Sequence, residues 1–342
     1  MLTVQDIGEI KGLLSSKKKI VLTAHLNPDG DAIGSSVAML HYLRKKGHDV
    51  EAIAPNRFPD FYSWMPGSED IIIFEKSAAK AKELLSKADI VFSLDYNSFN
   101  RVGPMTKYLK EAPGIKFLID HHIDPQEGLD YYLSTTKITS TGELIYNFID
   151  MMGDIELLDK NTAAAIYLAI MTDTGSFSYA SNYPDTYRVV ATLIEKGVDA
   201  ERIHRLVYDT FSEHRLRLLG YAISERMIVW HDLKTAIIYL TKDDLKRFHF
   251  QVGDTEGIVN YPLSMDGVNL AVLITEKEKK IKLSFRSKGD FSVNDLARAH
   301  FKGGGHKNAA GGQSGNNLDE TIKGIKEVLK PLKNKLDYKL SY

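Results

Sequence analysis

Five short runs rich in β-branched residues set the terms for the first half of the chain: KIVLTAH, HDVEAIA, DIIIF, DIVFSLD and IKFLID. Each is bounded by polar residues, too short for a helix and too apolar for a loop, so each reads as a strand. Between the first two lies GDAIGSSVAMLHYLRKKG, with small and apolar residues at helical spacing and Gly47 as a stop. TSTGELIYNFIDMM and NTAAAIYLAIM read as two further helices. A strand–helix rhythm of this kind folds as an α/β domain with a doubly wound, mostly parallel sheet.

The polar residues at the ends of these runs are unusual. The first strand leads into HLNPDGDAIGS, with His25, Asp29 and Asp31 where the strand ends and a helix starts. DIVFSLD ends on Asp95, and IKFLID ends on Asp120, His121 and His122, with Pro125 opposing continuation. Asp173 sits in TDTG, after a helix. An aspartate at a helix start is ordinary, because it satisfies free amides and the macrodipole. A cap explains neither the histidines nor the recurrence. In a parallel sheet these tips share one edge and can converge. Carboxylates and imidazoles without thiolates suit Mn²⁺, Mg²⁺, Fe²⁺ or Co²⁺. Crowded carboxylates would repel and protonate unless cations held them ionised. On spacing alone, a metal site and a series of ordinary turns and caps both remain open.

Composition narrows the classes. With no cysteine, disulfides, thiolate zinc sites and cysteine nucleophiles are excluded. The 44 basic and 45 acidic side chains nearly cancel, so nothing global attracts long duplex nucleic acid or an anionic membrane. The N-terminal MLTVQDIGEIKGLLSSKKK has no signal-peptide core, and no run reaches the length of a membrane span. The expected location is cytoplasmic.

At 342 residues there is room for two domains. The expected division is 1–185 for the first, 186–225 for a charged helical connector and 226–342 for a smaller α/β domain. In the latter, MIVWHDLKTAIIYLT and VNLAVLITEKEKKIKLSFRS read as hairpins, SVNDLARAH as a short helix and LDETIKGIKEVLKPL as a terminal amphipathic helix. The glycine-rich FKGGGHKNAAGG reads as a loop whose missing side chains allow close backbone approach to a phosphate.

The ordered set HLNPDGDAIGS, LDYN, IDHHI, TDTG and GGGH, spanning nearly the whole chain, resembles the DHH–DHHA1 phosphoesterase superfamily, and within it the NrnA-type nanoRNase and pAp phosphatase branch. The resemblance implies a metal-binding DHH domain, a substrate-binding DHHA1 domain and an active site in the cleft between them. It implies two divalent cations, Mn²⁺ first, with Mg²⁺ or Co²⁺ as substitutes. His25, Asp29 and Asp95 would hold one, and Asp31, Asp95, His121 and Asp173 the other, with Asp95 bridging. Cations so bridged, about 3.5–4 Å apart, clamp both oxygens of an in-line phosphoryl displacement without a serine or cysteine nucleophile. Successive side chains leaving a strand diverge, so His121 and His122 need different duties. His121 is assigned as a ligand, His122 as the catalytic group at the phosphate, and Asp120 as a carboxylate orienting a ligand imidazole or tying down the loop. Arg286 and the loop Gly303, Gly304, Gly305 and His306 are assigned to the substrate, with Arg101, Lys307 and Asn308 as candidate supporting contacts.

The activity so implied is metal-dependent hydrolysis of short single-stranded oligoribonucleotides and of 3′-phosphoadenosine 5′-phosphate (pAp), in a protein compatible with a homodimer. The alternatives are a phosphodiesterase of linear dinucleotides in cyclic-dinucleotide turnover and a non-enzymatic nucleotide sensor.

Overall fold

A computed structural model describes residues 3–179, 181–278, 280–315 and 317–339, and the chain divides into two compact units between Thr210 and Phe211. The expected boundaries at 1 and 342 lie outside the described residues.

In the first unit the elements run α1 (Val4–Leu13), β1 (Lys19–Thr23), α2 (Gly30–Lys45), β2 (Asp49–Ala54), β3 (Ile72–Ile73), α3 (Phe74–Ser86), β4 (Ile90–Leu94) and α4 (Thr106–Glu111). They continue with β5 (Ile115–Asp120), β6 (Tyr131–Ser134), α5 (Thr141–Met151), α6 (Lys160–Asp173), α7 (Pro184–Glu195) and α8 (Ala200–Tyr208). Every strand pairing is parallel, in the order β3-β2-β1-β4-β5-β6.

Alternation along the strands explains the two covered faces. Ile20 and Leu22 of β1 join one core with Val37 and Leu40 of α2 and Ile166 of α6. Val21, between them, joins the other, with Leu85 of α3 and Leu109 of α4. A strand buried on both faces reads as an unbroken apolar run, which is why β1, β4 and β5 were legible. Edge strands were less so. The run 70–74 yields only Ile72 and Ile73 as strand, because Phe74 opens α3. β6, reading YYLS, has no apolar run and was not expected; it is found by its pairing with β5, where Tyr131 lies beside Phe117 with ring centroids 4.7 Å apart.

The second unit holds α9 (Glu213–Glu225), β7 (Met227–Trp230), β8 (Thr235–Leu240), α10 (Lys242–Arg247), β9 (Leu270–Glu276), β10 (Ile281–Ser287), α11 (Val293–His300), β11 (Gly304–Gly305), β12 (Ala309–Ser314) and α12 (Leu318–Leu329). The sheet order is β11-β12-β10-β9-β8-β7; among the described residues β8 and β9 pair parallel and the other neighbours antiparallel. β7/β8 and β9/β10 are the two expected hairpins, the latter with residue 279 outside the described residues. The segment 186–225 consists of helices, most of α7, α8 and α9; the first two belong to the first unit and α9 to the second. Among the described residues no helix is long and apolar enough to cross a membrane.

One close approach sets the spacing of α2 and α6. A Cβ on Gly34 of α2 would meet the carbonyl oxygen of Ala165 at 2.5 Å and the amide of Ala169 at 3.0 Å, both on α6. Gly34→Ala should therefore destabilise the protein by about 1–3 kcal/mol, although alanine favours a helix more than glycine. Urea unfolding measures this, and an unchanged or raised midpoint would show that α2 and α6 tolerate separation.

Candidate metal centre

The strand order places β1 and β4 side by side while their following helices leave in opposite directions. α2 packs into one core and α4 into the other. This is the topological switch point of a doubly wound sheet, where a crevice opens beyond the carboxyl ends of the strands. His25 follows β1 and Asp95 follows β4 at that edge, both buried. Between the two strand ends, Thr23 and Ser93 are joined through the hydroxyl of Tyr96, at 2.6 and 2.9 Å. Asp95 has a left-handed backbone, φ 64°, a conformation that aspartate tolerates better than most residues. Its amide donates to the carbonyl of Ile119 at 3.1 Å, tying it to the end of β5.

Two clusters meet at Asp95. His25 Nε2 lies 3.6 Å from Asp29 Oδ1 and 3.5 Å from Asp95 Oδ2. His121 Nε2 lies 3.5 Å from one oxygen each of Asp31, Asp95 and Asp173. The oxygen that Asp95 turns to His121 is Oδ1, so the two oxygens of one carboxylate face two different histidines. These separations exceed the usual hydrogen-bond range. They match the spacing of about 3–3.6 Å between ligands that share one ion at about 2.0–2.2 Å. The triads His25–Asp29–Asp95 and Asp31–His121–Asp173 each bring their donor atoms within 4.8 Å of one another.

The tautomers suit this arrangement. His25 Nδ1 donates to the carbonyl of Leu26 at 3.0 Å, leaving Nε2 as the ligating nitrogen of the neutral ring. Asp29 has two duties, because its Oδ1 also accepts from the amide of Ala32 and caps α2. The ordinary capping role and the candidate ligand role thus coincide in one side chain. Asp31 takes no part in that cap. Its Oδ2 accepts from the amide of Thr141 at 2.7 Å, and its Oδ1 from the amide of Gly142 at 2.9 Å and the hydroxyl of Ser35 at 3.1 Å.

Asp120 is fully buried and serves His122, not the candidate ligand His121. His122 Nδ1 donates to Asp120 Oδ1 at 2.7 Å, and the His122 amide donates to Oδ2 at 3.1 Å. Asp120 therefore sets the tautomer and the ring plane of His122 through Nδ1.

The electrostatics of the crowded groups point the same way as their spacing. Burial, together with the charges of Asp95, Asp173 and Asp29, pushes the Asp31 carboxyl well above its usual range. Asp95 is buried too, which opposes its ionisation, but His25 and the imidazoles of His122 and His121 hold it below the carboxylate range. Burial opposes the charged form of His25, and Asp29 and Asp95 outweigh it, pushing the imidazole up to about 10. Burial and the neighbouring His122 push His121 down. A protonated His25 thus partly neutralises charge that a divalent cation would neutralise better. Nitrogen and carboxylate donors, mostly buried and without thiolates, fit a hard or borderline divalent ion.

In the second unit, Arg286 pairs across strands with Ala309, close to the GGGH turn. Gly303 and Gly305 are required by β12: a Cβ would lie 2.0 Å from the Gly311 oxygen and 2.4 Å from that of Ala309, respectively. Their first role is thus the hairpin itself. At Gly304 the nearest side-chain atoms to such a Cβ are Asn294 Oδ1 at 3.5 Å and Arg298 Nε at 3.7 Å. The turn is closed by the amide of His306 donating to Ala309 at 2.7 Å. Asn308 donates to the Ser287 hydroxyl at 2.9 Å and Lys307 pairs with Asp290 at 2.7 Å, contacts that brace the turn. In the first unit, Arg101 accepts through its carbonyl from the Leu26 amide at 2.8 Å, just after β1. Sequence reading missed Ser35, Thr141 and Gly142, the donors to Asp31. The signal for the second and third was present in STGEL, a helix start like the one that follows the first strand.

A cation held through His25 Nε2 would displace the proton that Asp29 and Asp95 otherwise keep on that ring. Mn²⁺ affinity should therefore rise with pH up to about 10, where His25 loses its proton unaided. Titration calorimetry at pH 8 in two buffers of different ionisation enthalpy should report proton release. Uptake without release would show that His25 is not a ligand.

Comparison with known proteins agrees with this architecture. The DHH family, N-terminal domain, matches residues 19–170, and the DHHA1 domain matches 235–331. The bifunctional oligoribonuclease and PAP phosphatase NrnA of Thermus thermophilus is 28% identical over 314 residues, 91% of this chain and 89% of that protein. The crystal structure of an exopolyphosphatase-related protein from Bacteroides fragilis superposes with a TM-score of 0.92 at 40% identity, covering 98% of this chain and 99% of that one. RecJ of T. thermophilus, in complex with Mn²⁺, shares the fold at a TM-score of 0.52 and 13% identity, over 98% of this chain and 55% of its own. The chain belongs to the DHH family, with a DHHA1 domain in its second unit.

Proposed function

We propose that the protein is a metal-dependent phosphoesterase that hydrolyses short single-stranded oligoribonucleotides and pAp. The observation that carries the reading is Asp95, whose two oxygens face two separate histidine–aspartate clusters. The substrate class is supported by the T. thermophilus relative, named an oligoribonuclease and PAP phosphatase.

In this reading His25, Asp29 and Asp95 hold one divalent ion, and Asp31, Asp95, His121 and Asp173 the other, Mn²⁺ being preferred over Mg²⁺ or Co²⁺. Such ions supply Lewis acidity toward phosphoryl oxygens and lower the pKa of water. His122 moves a proton at Nε2 toward the departing oxygen, its ring held by Asp120. Arg286, with its fixed fork of donors, grips a terminal phosphate beside Gly303, Gly304, Gly305 and His306.

A second reading comes from the B. fragilis structure, whose description as exopolyphosphatase-related raises inorganic polyphosphate as a substrate. One panel decides between them: pAp, pApA, RNA of two to twenty-four nucleotides, a DNA oligomer, pyrophosphate and polyphosphate, each with Mn²⁺ and with EDTA. Hydrolysis of pAp and short RNA, abolished by EDTA and falling with RNA length, is the expected result. Turnover of polyphosphate alone would replace the substrate class, and nucleotide binding without turnover would make the protein a sensor.

Substitutions separate the roles within that panel. Asp95→Ala should abolish turnover while leaving the thermal transition in place, because the two sheets have their own cores. His122→Ala should lower kcat more than it raises KM. Arg286→Ala should chiefly raise KM, by about ten- to a hundredfold, the loss of one charged phosphate contact of about 1.5–3 kcal/mol. Unchanged kinetics for Arg286→Ala on every substrate would return that arginine to the surface.

A further inference from the structure

We propose that Thr141 is a positioning residue that makes Asp95 span the two clusters instead of chelating at one of them. This rests on the reading of the site as a two-cation centre. Thr141 is fully buried at the start of α5 and uses two donors on two different carboxylates. Its amide donates to Asp31 Oδ2 at 2.7 Å and its hydroxyl to Asp95 Oδ1 at 2.9 Å. These are the same two oxygens that lie 3.5 Å from His121 Nε2.

The helix does not need that hydroxyl. Its cap is Ser140, whose Oγ accepts from the Glu143 amide at 3.1 Å. Nor is the start of α5 free to drift. Buried Glu143 accepts at Oε2 from the hydroxyls of Thr139 at 2.6 Å and Thr186 at 2.9 Å. The Thr141 hydroxyl is thus held at a fixed point opposite a carboxylate on a left-handed residue. A carboxylate with one oxygen pinned cannot rotate both oxygens toward His25. The pin keeps Oδ2 on the His25 side and Oδ1 on the His121 side. Groups that orient metal ligands in this way typically change affinity or activity by about ten- to a hundredfold when removed.

The test compares Thr141→Val, which keeps the shape and the amide but loses the hydroxyl, with Thr141→Ser, which restores the donor. Mn²⁺ titration followed by electron paramagnetic resonance counts bound ions and detects the exchange-coupled pair that a shared carboxylate produces. Thermal unfolding of the metal-free proteins checks folding. Thr141→Val should fold, bind the second Mn²⁺ about ten- to a hundredfold more weakly, lose the coupled signal and lower kcat with KM nearly unchanged. Thr141→Ser should recover the coupled signal. A Thr141→Val protein with wild-type titration and coupling would overturn the proposal while leaving the two-cation reading intact. If Thr141→Val does not fold, Thr141→Ser decides: a wild-type coupled signal supports the pin, and a lost one overturns it. Wild-type protein that takes up no Mn²⁺ would overturn the two-cation reading and the proposal together.

Discussion

Carboxylates crowded at a largely buried edge repel one another, and the first unit is organised around that repulsion. Asp29, Asp31, Asp95 and Asp173 are drawn to two imidazoles, and the strain is visible in Asp31, which burial and its neighbours drive toward protonation. The fold offsets part of the cost with oriented donors. The amides of Thr141 and Gly142 at the start of α5 donate to Asp31, and the amide of Ala32 in α2 donates to Asp29, its cap. Helix N-termini favour negative charge for the same reason that they bind free anions. The remainder of the charge is what a divalent cation would neutralise, so the packing and the proposed chemistry meet in one constraint.

Topology decides where this happens. Neighbouring parallel strands whose helices depart to opposite faces leave an opening at their carboxyl ends, and β1 and β4 are the strands that do so here. His25 and Asp95 occupy that opening, and β5, next to β4, delivers Asp120, His121 and His122. The adjacent histidines then divide their duties. His121 turns to three carboxylates, while His122 is held by the carboxylate two residues before it. The second unit works by a different economy of space, in which glycines let β11 and β12 approach closely and Arg286 lies in register beside their turn.

Much of this was legible in the chain. Strands buried on both faces announce themselves as β-branched runs, and their terminal acids and histidines stand out because nothing in a strand requires them. Zero cysteine removed thiolates from the possible donors. Elements with one open face were harder: β6 carries tyrosines in place of an aliphatic run, and β11 and β12 are hidden in a glycine-rich stretch that reads as a loop.

The sequence by itself determined which acids and histidines stand at the ends of the elements, since residue type and element ends are both local properties. Only the tertiary structure decided how they are shared. That Asp95 presents one oxygen to each histidine, that Asp120 serves His122, and that Thr141 reaches both Asp31 and Asp95 all depend on contacts between residues far apart or on side-chain direction. Hydrophobic periodicity encodes which face of an element is buried, but hydrogen-bond partners are set by the angles at which helices and strands meet, and those emerge from packing the whole core.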